Sequence, residues 1–184
     1  MKYISDYIMV YNAIPDPICQ STIKQLNPKG WNTHKWFNNE NKTYHSHDTK
    51  ELYIQDTTEQ LKQLLTPFVV KSLEAYQDKY SPSKKFLTQF SNLRFNKYPE
   101  GTMMRKHFDH IHNIFDGNLK GVPILSLVGI LNNDYEGGNF VFNDDHEIKL
   151  NAGDILVFPS NFMYAHEVKE IIKGTRYSFV SWAF

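Results

Sequence analysis

From residue 86 to its end, the sequence is a series of short apolar runs separated by turn signals. The run Ile124–Leu131 is nearly continuous in apolar residues, which is typical of a strand that is buried on both faces. Turn signals such as Pro99-Glu100-Gly101, Asn132–Gly138 and Gly153-Asp154 recur between the runs. Many short strands at this spacing predict a β-sandwich or a β-barrel.

The first half of the sequence predicts helices. Asp16-Pro17 is a helix start, and Cys19 follows at a spacing that favours a buried small hydrophobe. From Leu61 onward apolar residues recur near every 3.6 positions, so one long amphipathic helix is expected to about Tyr80. Pro67 should kink it or divide it in two. We expect its apolar stripe to pack on the back of a sheet, in a mainly β fold with supporting helices (α+β).

Composition fits a single domain over residues 1–184, with helical support mainly in 1–85 and a barrel core mainly in 86–184. The formal net charge is zero, which argues against a protein that coats nucleic acid or an anionic membrane. The single cysteine, Cys19, excludes an internal disulfide and indicates a reducing compartment. Residues 1–16 lack a signal-peptide core, and no run reaches the roughly 20 apolar residues of a membrane helix. We therefore expect a soluble, cytoplasmic protein.

Three residues carry the chemistry of one metal site. His107 and Asp109 form a His-x-Asp motif, and on an extended strand two such side chains project from one face. His166 lies on a later strand of the same β region. Two imidazoles and one carboxylate, with other coordination positions open, are the ligand set of non-haem Fe(II) oxygenases. The sequence thus predicts an iron site at these three residues.

Arg176 is expected to lie close to this site. It follows His166 by ten residues, after predicted strand Ala165–Ile172 and a predicted tight turn at Lys173-Gly174. A hairpin there would return Arg176 to the strand beside His166. An ionised Arg inside a largely apolar barrel is costly unless it binds an anion, and a dicarboxylate cosubstrate would supply one.

These residues together resemble the Fe(II)/2-oxoglutarate dioxygenase superfamily, and the spacing to the Arg most resembles its prolyl 4-hydroxylase branch. The resemblance covers roughly residues 86 to 184, while the first half matches only as helical support. It implies a double-stranded β-helix, a jelly-roll or cupin-like barrel closed off by helices. Scaffold landmarks that match are Leu131-Asn132, Gly137-Gly138, Gly153-Asp154 and Phe158-Pro159.

The resemblance also assigns the main roles. His107, Asp109 and His166 would be the iron ligands, and Arg176 would pair with the distal carboxylate of 2-oxoglutarate, where many prolyl hydroxylases have Lys. A bidentate Arg–carboxylate pair suits that task. The implied cofactors are Fe(II), 2-oxoglutarate as cosubstrate and O2, with ascorbate as a further candidate. The implied reaction is hydroxylation of an aliphatic carbon with release of succinate and CO2.

Three more positions are candidates through the resemblance. Tyr98 matches the family's Tyr that hydrogen-bonds the cosubstrate, and Ser178 shares a strand face with Arg176 and could add a hydroxyl contact. Trp182 matches a Trp at the rim of the pocket near the substrate. For each of the three, packing in the fold is the alternative interpretation.

The expected substrate contacts differ from the family pattern. Met104 and Pro123 stand where members that act on peptidyl proline commonly carry Tyr and Arg, and Ser126 and Ile130 replace a Thr and a Tyr. These changes leave the iron and cosubstrate chemistry intact. A peptidyl proline or a related substrate is the favoured interpretation, with a free amino acid or other small molecule and, least favoured, nucleic acid as the alternatives. The oligomeric state stays open.

A cupin-like barrel that binds a metal or small ligand without oxygenase activity is the alternative from another class. Arg176 discriminates between the two, because such a barrel has no need of a buried Arg at that position. In a nucleic-acid oxygenase of this superfamily, the Arg would lie farther along the sequence from the second His than Arg176 lies from His166. A chain of zero net charge also offers no stripe of basic residues that would bind phosphates.

Overall fold

The structure is a computed structural model that describes residues 3–38, 41, 43–46, 50–109, 115–116, 120–121, 123–143 and 145–184. Its two α-helices in this described part are α1 (Asp16–Gln25) and α2 (Glu59–Tyr80), with short 3-10 turns at Ile4–Tyr7 and Phe162–Tyr164. The strands are β1 (Met9–Asn12), β2 (Asn32–Thr33), β3 (Trp36–Asn38), β4 (Thr43–His45), β5 (Tyr53–Asp56), β6 (Arg94–Pro99), β7 (Met104–His107), β8 (Phe115–Asp116), β9 (Lys120–Gly121), β10 (Leu125–Ile130), β11 (Tyr135–Gly137), β12 (Phe140–Phe142), β13 (His146–Ile148), β14 (Asp154–Pro159), β15 (His166–Val168) and β16 (Ile171–Ala183).

Two antiparallel sheets form the barrel. The major sheet has the order β1-β14-β10-β16-β6-β5-β2, with β11 also paired to β16, and the minor sheet has the order β13-β12-β15-β7. Their inner faces share one apolar cluster, in which the rings of Phe142 and Phe158 lie 4.8 Å apart across the two sheets. The predicted mainly β, jelly-roll architecture is confirmed.

Alternation along the central strands explains their continuous apolar runs. On β14, Leu156 and Phe158 face the minor sheet, while Ile155 and Val157 face the helices. Every residue of β10 is buried for the same reason. Side chains of a strand point alternately to its two faces, so a strand that is buried on both faces must be apolar at successive positions.

Helix α2 packs on the outer face of the major sheet, as predicted. Its N-cap is Thr58, whose Oγ1 accepts a hydrogen bond from the Leu61 backbone N–H at 3.3 Å. Its buried stripe shares a core with strand residues and with Cys19 of α1; the α2 members are Leu61, Leu65, Val69, Leu73 and Tyr76. Pro67 lies inside a single continuous helix, so the helix is not divided in two.

The predicted hairpin at Lys173-Gly174 is wrong. Strand β15 ends at Val168, and β16 begins at Ile171 and continues through Gly174 to Ala183, so the chain changes sheets at residues 169–170. Gly174 has a φ of +81°, and a Cβ there would lie 2.6 Å from the backbone oxygen of Asp134. This glycine therefore permits the close approach of β11 to β16. His166 and Arg176 consequently lie in different sheets.

Another difference concerns the start of β6. The short apolar runs of the sequence begin at residue 86, but β6 begins only at Arg94. The segment before it bonds instead to the end of the chain, where the Thr88 N–H donates to the Phe184 carbonyl at 2.7 Å and the Ser91 N–H to the Trp182 carbonyl at 2.8 Å. Among the described residues, no helix has the length and apolar character required to span a membrane.

Candidate metal and cosubstrate site

His107 and His166 face each other as partners across β7 and β15 of the minor sheet. Their ring centroids are 4.4 Å apart. In each residue Nδ1 lies next to a backbone carbonyl two positions earlier, at 2.7 Å from the Arg105 oxygen and 2.9 Å from the Tyr164 oxygen. Because a carbonyl only accepts, Nδ1 carries the proton and the lone pair of Nε2 is left for a metal.

Asp109 completes the group from outside the strand. Its Oδ1 is 3.5 Å from His107 Nε2, and its Oδ2 is 3.9 Å from His166 Nε2. Strand β7 ends at His107, so the prediction of His107 and Asp109 on one strand is wrong. Asp109 instead lies in a bend after this strand, with its carboxylate oxygens within 4 Å of both Nε2 atoms.

The electrostatics of the three residues suit a divalent cation. Burial alone would raise the pKa of Asp109, but His166, His107 and the hydroxyl of Ser126 together hold it well below its usual range. Burial, with His107, lowers the pKa of His166 to about 4 against the opposing Asp109 carboxylate. The site thus presents a carboxylate and a neutral imidazole at neutral pH. All three ligand atoms lie within 4.8 Å of one another, the arrangement of a two-His, one-carboxylate iron centre.

An aromatic frame holds both imidazoles. The His166 ring stacks on Phe140, with centroids 5.3 Å apart and an interplanar angle of 11°, and meets the edge of Phe158. The indole of Trp36 packs edge-on against His107 at 5.4 Å and donates its N–H to Glu51 Oε1 at 2.9 Å. These contacts fix the ring orientations before a metal binds.

Arg176 is buried and lines the same cavity as the triad. Its side chain is 1% exposed, and its Nη1 donates to Ser178 Oγ at 3.1 Å. Its Nε and Nη2 have no hydrogen-bond partner among the described residues. A buried guanidinium without a carboxylate partner is unfavourable, so this position suits an anionic ligand.

The three remaining predicted residues surround Arg176 and the triad. Tyr98 pairs with Arg176 across β6 and β16, and its ring centroid is 5.0 Å from the guanidinium carbon. Burial raises the pKa of the Tyr98 phenol, against the opposing effect of Arg176. Ser178 contacts Arg176 directly, and Trp182 lines the cavity and is 8% exposed.

The cavity itself is small and lies beside a larger one. The triad, Tyr98, Trp182 and Arg176 line a cavity of about 30 Å³. Arg176 and Phe140 also line a cavity of about 350 Å³ on the side of β13. Arg176 therefore lies between the two cavities and lines both of them.

Some residues of this site have no assigned role in the sequence analysis. Ser126 appears there only as a departure from the family, yet its hydroxyl donates to Asp109 Oδ2 at 2.6 Å. Arg94 and Asn96 line the cavity from the same strand as Tyr98. The sequence spacing could have identified both residues, because side chains two and four positions before Tyr98 on a strand point to the same face as Tyr98.

The comparisons with known proteins point to one superfamily. The family model described as 2OG-Fe(II) oxygenase superfamily matches residues 93–184, half of the chain. A PKHD-type hydroxylase of Acinetobacter baumannii is 35% identical over 94 residues, covering 48% of this chain and 40% of the relative. A PKHD-type hydroxylase of Prochlorococcus marinus is 45% identical over 76 residues, covering 40% and 34%. This chain spans about 40% of the length of the first of these relatives.

Solved structures show the same fold. A prolyl hydroxylase from Trichoplax adhaerens, in complex with a hypoxia inducible factor peptide fragment, superposes with a TM-score of 0.73 at 16% identity, over 98% of this chain and 84% of that chain. A Pseudomonas putida prolyl-4-hydroxylase gives a TM-score of 0.67 at 18% identity, over 96% and 92%. The jelly-roll prediction agrees with both.

Proposed function

The chain belongs to the 2OG-Fe(II) oxygenase superfamily, and from that premise we propose that it is an iron- and 2-oxoglutarate-dependent hydroxylase of the prolyl hydroxylase-like kind. The observation that carries the proposal is the convergence of His107, Asp109 and His166, whose ligand atoms lie within 4.8 Å of one another. They are the proposed iron ligands. The cosubstrates are 2-oxoglutarate and O2.

The donor set fits the metal. Two imidazole nitrogens and one carboxylate oxygen leave room for a bidentate cosubstrate and O2. When bound, the iron supplies the oxidising chemistry that couples decarboxylation of 2-oxoglutarate to succinate with hydroxylation of a substrate C–H bond. The protein contributes the orientation of the ligands, through the two Nδ1–carbonyl hydrogen bonds, and a buried, aromatic-lined cavity that limits access of water.

Arg176 is the proposed anchor of the cosubstrate. Its two unpartnered nitrogens match the two oxygens of a carboxylate. Ser178 orients the guanidinium through the 3.1 Å hydrogen bond, and Tyr98 lies against its face. Together they would fix the distal end of 2-oxoglutarate while its other end binds the metal.

A prolyl residue is the proposed substrate class, because the similar proteins are named as PKHD-type hydroxylases and prolyl hydroxylases. Trp182 lines the same cavity as the triad and is the proposed contact with the substrate. Met104 and Pro123 replace two substrate contacts that peptidyl-proline enzymes commonly have. The mode of substrate binding should therefore differ from theirs.

The test is an assay of succinate release. Protein loaded anaerobically with Fe(II) and 2-oxoglutarate is exposed to O2, with and without ascorbate, in the presence of proline-rich peptides, free amino acids or oligonucleotides. We expect succinate in wild type, stimulated by a prolyl substrate, and a large loss in Arg176→Met. Lys173→Met is the matched control, since Lys173 lies on the same strand but is exposed. Absence of 2-oxoglutarate turnover in wild type, or full turnover in Arg176→Met, would contradict the proposal.

A further inference from the structure

We propose that Arg94 is a second anion-binding residue of the cavity and that it recognises a carboxylate carried by the substrate. The inference rests on the proposed function and extends it to the class of substrate. Arg94 is partly buried and lines the cavity together with the triad. It is the first residue of β6, the strand that also carries Tyr98.

The strand pairing separates the two arginines along the cavity that both line. Tyr98 pairs with Arg176, and Arg94 pairs with Val180 four residues farther along β16. Four residues of a strand correspond to about 13 Å. One dicarboxylate held by the metal and Arg176 therefore leaves Arg94 for a different anion.

The Nε of Arg94 is fully buried and has no hydrogen-bond partner within the described ranges. Its guanidinium lies over the indole of Trp182, with 5.3 Å from its carbon to the ring centroid. Burial lowers the pKa of Arg94, and Tyr98, Asp109 and Asp56, which pairs with Arg94 across β5 and β6, oppose that effect. A buried cationic donor left without an acceptor is costly, so the position is best satisfied by a ligand.

The neighbouring carboxylate is already engaged. Asp109 Oδ2 accepts the Ser126 hydroxyl at 2.6 Å, and Oδ1 lies 3.5 Å from His107. Among the described residues, oxygens of Asp109 lie within 4 Å of Nε2 of both histidines, and Asp109 forms no ion pair with Arg94. Arg94 thus has no close ion pair with Asp109 or Asp56 among the described residues, and its planar fork is suited to a carboxylate.

The position also indicates where that carboxylate lies in the substrate. Trp182, the proposed substrate contact, is the residue over which the Arg94 guanidinium lies. Because Arg94 and the triad line one cavity of about 30 Å³, a carboxylate bound by Arg94 would lie close to the carbon that is hydroxylated. Three sources share this chemistry: a free amino acid, the C-terminal carboxylate of a peptide, and an acidic side chain next to the target residue.

Binding measurements separate these sources without turnover. The full chain is loaded with Mn(II) in place of Fe(II) and saturated with 2-oxoglutarate. Three panels of the common amino acids are then tested by thermal shift: free L-amino acids, N-acetyl amino acids, and N-acetyl amino acid amides, in which only Asp and Glu retain a carboxylate. The tightest carboxylate is titrated by calorimetry, together with its uncharged amide, against wild type, Arg94→Met and Arg94→Lys.

We expect the carboxylate to bind wild type at least about tenfold more tightly than its amide. The reason is that it forms a charge-assisted hydrogen bond with a guanidinium N–H of Arg94 that otherwise has no acceptor. In Arg94→Met this ratio should fall to about one, and Arg94→Lys should retain part of it. Lys97→Met is the matched control, since Lys97 lies on the same strand with its cation over Trp31. It should keep the wild-type ratio.

Three results would overturn the inference: equal binding of carboxylates and amides to wild type, an unchanged ratio in Arg94→Met, or no binding by any carboxylate of the panels. The wild-type comparison stands even if Arg94→Met does not fold. Titration of 2-oxoglutarate is the separate readout. Wild type that fails to bind it contradicts the proposed function, whereas normal binding without carboxylate discrimination contradicts only the role of Arg94.

Discussion

The hydroxyl of Ser126 donates a hydrogen bond of 2.6 Å to Oδ2 of Asp109. Ser126 lies on β10 and is 1% exposed, so a fully buried strand of the major sheet holds a carboxylate that belongs to a bend after β7. This bond occupies one oxygen of Asp109 and directs the other toward His107. The metal site is thus positioned by both sheets at once.

Ser126→Ala should weaken metal binding while the protein stays folded. Loss of a hydrogen bond to a metal-binding carboxylate typically lowers affinity about 10- to 100-fold. The measurement is Mn(II) binding by calorimetry. Ser160→Ala is the control, because Ser160 is also buried but its hydroxyl has no partner among the described residues. If both variants bind Mn(II) like wild type, Ser126 does not position the carboxylate.

Gly138→Ala should impair the cosubstrate site through Arg176. Gly138 has a φ of +65°, and a Cβ there would lie 3.2 Å from Arg176 Cδ and 2.5 Å from Ile171 Cδ1. Displacing the guanidinium would cost part of a charge-assisted pair, about 1.4 kcal/mol, which is about tenfold in the Kd of 2-oxoglutarate.

Gly101→Ala is the matched control for that prediction. Gly101 has a φ of +80° with nothing within 4 Å of its Cβ position. Both substitutions carry the backbone strain of an L-residue at positive φ, about 1 to 2 kcal/mol. Only Gly138→Ala should change the Kd of 2-oxoglutarate. If both substitutions change the Kd of 2-oxoglutarate equally, the contact of Gly138 with Arg176 is not the cause of the change.

Cys19 should titrate only at high pH. Its side chain is fully buried, and burial raises the pKa of the thiol from 9.0 to about 11. A group whose pKa is raised on folding stabilises the native state fully below its unfolded pKa, and this contribution is lost as the pH rises through the folded pKa. The free energy of unfolding should therefore fall between about pH 9 and 11.

Chemical denaturation over this pH range measures that loss, and Cys19→Ala should show a smaller decrease than wild type because the remaining decrease comes from buried tyrosines. Labelling with a thiol reagent at pH 8 supplies a second check. It should be slow in the native protein and fast in denaturant. Rapid labelling of the native protein would show that the thiol is not buried.

Much of this fold could be predicted because its signals are local. The continuous apolar run of β10 and the helical period of α2 each follow from burial on particular faces. The two histidines, the carboxylate and the arginine were also identifiable, since few side chains combine to hold iron and an anion. These patterns indicate which chemical groups the site contains.

The relationships across the barrel could not be predicted in the same way. The bond from Ser126 to Asp109 joins β10 to the bend after β7, and the pairing of Arg94 with Val180 follows from β6 lying beside β16. Both depend on strand order, which is set by the packing of the whole chain. The error at Lys173-Gly174 has a similar cause, because a glycine needed for a close approach to β11 has the same sequence signature as a turn.

The central claim is that one metal ion binds between His107, Asp109 and His166, and titration of the metal-free protein with Mn(II), followed by the EPR signal of the free ion, tests it most directly. Wild type should bind one equivalent, and alanine at any of the three positions should weaken binding at least about 100-fold with unchanged circular dichroism, since a ligand matters at least as much as its supporting residues. His146→Ala, which removes an exposed histidine from β13, should bind like wild type. Wild-type affinity in His107→Ala, Asp109→Ala or His166→Ala would contradict the account.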